Sequence, residues 1–91
     1  MPAIDAVGSI AHVLESVPQV ERVYVFPESE GAFSIVTVID ADDDDVYDQI
    51  FDRERQLIHS LPCHHLAFKV IARRGRPIDE FVGSSTPVWQ R

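Results

Sequence analysis

Three groups of side chains have the types and spacing that chemistry uses. Lys69, Arg73, Arg74 and Arg76 form a basic cluster late in the chain. Arginine forks match phosphate oxygens, so a nucleotide or RNA phosphate is the ligand such a cluster would take. Asp42, Asp43, Asp44 and Asp45 form an unbroken acidic run, and Ca²⁺ and Mg²⁺ take oxygen ligands of this kind. The run lacks the glycine and terminal glutamate of an EF-hand loop. The run also suits a helix start, where one of Asp43 to Asp45 accepts backbone N–H bonds and the others sit at the positive end of the dipole. His59, Cys63, His64 and His65 are zinc-ligating types. Neighbours in a strand point to opposite faces, which keeps His64 and His65 from converging on one ion. A histidine lowers the pKa of a nearby thiol, yet a ring one residue from Cys63 does not turn onto its sulfur in working geometry, and no third group orients it. These residues assign no catalytic group and no cofactor.

The elements that position them follow from periodicity. Ile4, Val7, Ile10, Ala11, Leu14 and Val17 recur at helical spacing, and Pro18 ends that helix near Ser16. Val20 to Phe26 is rich in β-branched and aromatic residues and reads as a strand. Pro27 to Gly31 is turn chemistry, and Phe33 to Asp40 is the second strand of an antiparallel hairpin. A helix from about Val46 to Ser60 carries Val46, Tyr47, Ile50, Phe51, Leu57, Ile58 and Leu61 as its apolar positions. His65 to Ala72 alternates as a third strand. Pro77 to Val82 suits one short helical turn with Gly83 as its C-cap, and a loop-like tail ends in Trp89. The order predicts an α+β, two-layer sandwich, α-β-β-α-β, over residues 1–91: a three-stranded sheet with both helices on one face. The other face would expose Ser34, Val36, Val38, Ala67, Lys69 and Ile71, a set too apolar to meet water unaided.

The helix, the strand Val20 to Phe26, the turn and the strand Phe33 to Asp40 resemble the core of minimal nucleotidyltransferases, in element order over roughly residues 4–72. That family places a Gly-Ser turn after the first strand and two metal-binding aspartates, one residue apart, on the next. Here Pro27-Glu28 stands at the turn, Ser34 and Val36 stand at the aspartates, and Ala67 and Lys69 fill the third strand where a further carboxylate belongs. Two-metal phosphoryl transfer needs those carboxylates. The resemblance therefore implies a related fold that binds phosphate through Arg73, Arg74 and Arg76 without transferring it.

Composition narrows the classes. The 91 residues carry a net charge of −7 and one cysteine, which excludes an intramolecular disulfide framework. No apolar run approaches a membrane span, and the N-terminus lacks the pattern of a signal peptide; a cytosolic protein is expected. Eleven acids and one base fall in residues 1–50, four acids and seven bases in residues 51–91. The overall charge disfavours nucleic acid, while complementary halves can steer self-association. The expectation is a domain without catalytic activity that acts through protein contacts as a homodimer, its contact face formed by Val36, Val38, Ala67, Ile71 and Trp89.

Overall fold

The computed structural model describes residues 4–83 and 85–90. Ser84 of the tail, Arg91 and the side chains of Ile4, Asp5, Ala6 and Asp79 lie outside that description. The elements run α1 (Ile4–Glu15), β1 (Val20–Ser29), β2 (Ala32–Ile39), α2 (Asp44–Ser60), β3 (His65–Ala72), α3 (Asp79–Val82) and β4 (Trp89–Gln90). They build an α+β fold around one sheet of order β3-β2-β1-β4. β1 is antiparallel to β2 and to β4. β3 is parallel to β2, as it must be when α2 carries the chain back over the sheet. No helix among the described residues is long and apolar enough to cross a membrane.

Local chemistry sets the boundaries. Asp43 caps α2: its backbone is extended and its carboxylate accepts the Asp45 N–H at 2.9 Å. The helix therefore begins at Asp44, ahead of the first apolar position. The hairpin is tighter than the turn residues predict, because β1 continues through Pro27 to Ser29, which pairs with Ala32. Gly31, at φ 75°, makes the short reversal. Proline is tolerated there because β4 pairs only with Arg22 and Val23, leaving that stretch of β1 with β2 as its one neighbour.

The sheet has two differently covered faces. On one, Ile10, Leu14 and Val17 pack with Val46, Ile50 and Leu57 against Val20, Val23, Ile35 and Ile39. Both long helices thus lie on one side, as their single apolar stripes require. On the other face, Tyr24, Val36, Val38 and Ile71 form a second cluster with Ile78, and Phe26 and Val82 pack against it.

Two features correct the sequence reading. The sheet has four strands, because Trp89 and Gln90 pair with Val23 and Arg22. Two residues are too few for any periodicity to announce them. The second correction concerns the contact face. Arg74 (φ 51°) and Gly75 (φ 78°) turn the chain back after β3, and the segment around α3 lays Ile78 and Val82 on the cluster. Val36, Val38 and Ile71 are 7%, 0% and 8% exposed within one chain. Cover expected from a second copy comes from this chain itself. Trp89 packs on the helix side, away from those residues, and of the named set only Ala67 is exposed.

Candidate functional site

The start of β1 and the ends of β2 and β3 meet at one end of the sheet, where most of the charged candidates gather. Arg73 donates from Nε and Nη2 to the two oxygens of Glu21, at 2.6 and 3.1 Å, and lies 3.8 Å from Asp40. These contacts hold the guanidinium in a planar fork. The Glu21 hydrogen bonds raise the Arg73 pKa further, against a smaller opposing effect of desolvation. Arg74 is ion-paired with Asp42. Arg76 donates to Glu80 at 2.8 Å and lies over the Phe81 ring, 5.3 Å from its centroid. Asp40 accepts the Gly75 N–H at 2.7 Å, which fixes the loop carrying all three arginines.

Each predicted phosphate-binding arginine is thus engaged by a carboxylate. Lys69 does not join them. It sits mid-strand on β3, opposite Val36, exposed, four residues or about 13 Å before Arg73. Two clefts flank the knot. One of about 270 Å³ is lined by Glu21, Arg22, Val38, Arg73, Pro77 and Ile78. The other, of about 300 Å³, includes Gln19, Glu21, Asp40, Asp43 and Val46 in its walls. An anion entering either meets Glu21.

The acidic run is divided among separate tasks. Asp43 caps α2 and Asp42 holds Arg74, while Asp44 and Asp45 occupy the first turn. Burial and a hydrogen bond to Asp42 raise the Tyr47 pKa. His59 lies in the last turn of α2. Cys63 is exposed, and the His64 ring leans on Phe33 at 5.6 Å. Among the described residues no three His, Cys, Asp or Glu side chains converge as metal ligands.

Two features escaped the sequence reading. Glu54 stands within the inward stripe of α2, four residues after Ile50 and three before Leu57. Its Oε2 is buried without a hydrogen-bond partner, and desolvation pushes its pKa to about 7. The spacing alone would have revealed it. The other feature is the outer side of β3, where no strand pairs among the described residues. Leu66, Phe68 and Val70 are only half-buried there. On α2, Phe51 is 46% and Ile58 51% exposed, and Tyr47 stacks on Phe51 at 6.1 Å. Comparison with protein-family models, curated proteins and solved structures finds no match to this chain.

Proposed function

We propose that this chain is a domain without catalytic activity that works through protein contacts and self-associates as a homodimer. The observations that carry this reading are the outer edge of β3, which no strand pairs among the described residues, and the exposed apolar residues Phe51 and Ile58 on α2. An eight-residue edge strand with three apolar side chains half-covered is a template for another chain. Phosphate binding is the weaker reading because the arginine forks already hold carboxylates. A phosphate would have to displace the two-pronged Glu21 contact, a charge-assisted pair, beside further carboxylates.

Light scattering on the purified protein tests the proposal. The expected mass is twice 10.3 kDa, with an absorbance spectrum free of nucleotide. A chain that stays at 10.3 kDa at hundreds of micromolar overturns the homodimer. Co-purifying nucleotide released by high salt, and lost in Arg73→Ala, returns the phosphate reading to first place.

A further inference from the structure

We infer that the cleft between the start of β1 and the α3 segment binds a small monocarboxylate with a compact apolar body, anchored on Arg22. The inference is independent of the homodimer reading. The cleft, of about 270 Å³, is lined by Glu21, Arg22, Val38, Arg73, Pro77 and Ile78. Arg22 stands opposite Val38 in the register between β1 and β2, on the face that Ile78 covers. Among the described residues it is the arginine with no carboxylate partner: Arg53 and Arg55 hold Asp52, Arg73 holds Glu21, Arg74 holds Asp42 and Arg76 holds Glu80. Its Nη1 donates to the Tyr24 oxygen at 3.3 Å, which leaves most of the guanidinium fork without a protein acceptor.

Charge in the cleft favours one anionic group. Arg73 spends its fork on both oxygens of Glu21, so those two side chains offset each other and the Arg22 charge is left unbalanced. Asp40, 3.8 Å from Arg73, lines the other cleft. Tyr24 supplies a second donor. It is 1% exposed, and its oxygen accepts from Arg22. A phenol donates as well as accepts, so its proton is available to an acceptor seated beside that guanidinium. A buried donor left without an acceptor is costly, and a ligand oxygen there would relieve it.

The class of occupant follows from the fork and the walls. A carboxylate is planar and offers two oxygens in parallel to a guanidinium. One negative charge offsets Arg22, whereas the second charge of a phosphate monoester would crowd Glu21. Beyond the anchor, Val38, Pro77 and Ile78 present apolar surface for a hydrocarbon body. At about 30 Å³ per water the cleft holds about nine waters, and benzoate has about as many non-hydrogen atoms.

Titration of the isotope-labelled protein with benzoate, followed by amide and arginine side-chain NMR signals, tests the inference. Benzoate should bind saturably with a Kd near or below about 1 mM, shifting the signals of Glu21, Arg22, Arg73 and Ile78. Benzamide, its neutral isostere, should bind at least about tenfold more weakly; this comparison uses the parent chain and needs no variant to fold. Arg22→Gln removes the charge and should weaken benzoate about tenfold or more, while Arg22→Lys keeps the charge without the fork and should fall between. Tyr24→Phe should weaken it about two- to tenfold. No saturable shift at high benzoate, equal binding of benzamide, or a Kd unmoved by Arg22→Gln overturns the inference. Phenyl phosphate binding more tightly than benzoate overturns the choice of a monocarboxylate.

Discussion

Replacing Glu54 by glutamine should stabilise the protein above neutral pH and leave it nearly unchanged in acid. The carboxyl lies in the inward stripe of α2 with Oε2 buried and unpartnered, and its pKa is raised from 4.5 to about 7 by desolvation. That difference corresponds to about 3.4 kcal/mol between the neutral and ionised forms. The side chain is only half-buried, so solvent screening reduces the effect on folding to about 1–2 kcal/mol. The folded state holds the proton more tightly than the unfolded one. Between pH 4.5 and 7 the folded chain therefore binds more protons, and Glu54 makes stability fall as pH rises through that window. Below the window the acid is neutral in both states; above it the full penalty applies.

Glutamine imitates the neutral acid and still leaves a polar end unpaired. Comparing the variant with the parent at two pH values therefore isolates the charge. Thermal melts followed by circular dichroism should show the variant ahead at pH 8, by about 4–8 °C for each kcal/mol in a domain of this size. At pH 4.5 the gap should shrink to a fraction of that. An equal gap at both pH values would mean that shape, not ionisation, sets the difference. A variant less stable at pH 8 would show that Glu54 is solvated or paired as an anion.

Other perturbations test the remaining contacts. Asp43→Ala removes the α2 cap and should cost about 1 kcal/mol in urea unfolding, with no effect from added Ca²⁺ or Mg²⁺ in either protein; a large cation-dependent stabilisation of the parent alone would assign the run to metal. Ile78→Ala uncovers Val38 and Ile71 and should cost about 2 kcal/mol; a negligible loss would mean that the α3 segment does not cover that face in solution. Arg73→Lys keeps the charge but loses the fork to Glu21, and should lower the melting temperature more than Arg55→Lys, whose partner Asp52 lies on an exposed helix face. Equal effects would mean that the two-pronged geometry is immaterial.

What could be read in advance was local. The stripe from Ile10 to Val17, a helix cap among Asp43 to Asp45 and the β-branched strands announce themselves within a few residues, because capping, helix and strand periodicities are local rules. The cover over Val38 was half legible: the face was visibly too apolar to stay bare, but not which segment would reach it. That answer depends on Arg74 and Gly75 at positive φ, which direct the chain rather than mark it with any period. Trp89 gave no sign of pairing with Val23 across 66 positions.

The charge split shows why the site was harder to read than the fold. Acids crowding residues 1–50 and bases crowding 51–91 invite the inference that unlike halves of two copies meet. Folding brings the halves together within one chain instead. Glu21 and Arg73 are 52 positions apart and share two hydrogen bonds, while Asp42 holds Arg74 across 32. A linear count cannot see this, because the hairpin and the β2–α2–β3 crossover bring the start of β1 and the ends of β2 and β3 to one end of the sheet. Once those pairs form, the basic cluster is no longer a free basic surface, and the case for a phosphate ligand weakens with it. Lys69 is different: it lies outside the knot and has no ion-pair partner among the described residues. The proposed self-association therefore gains little from the opposed halves.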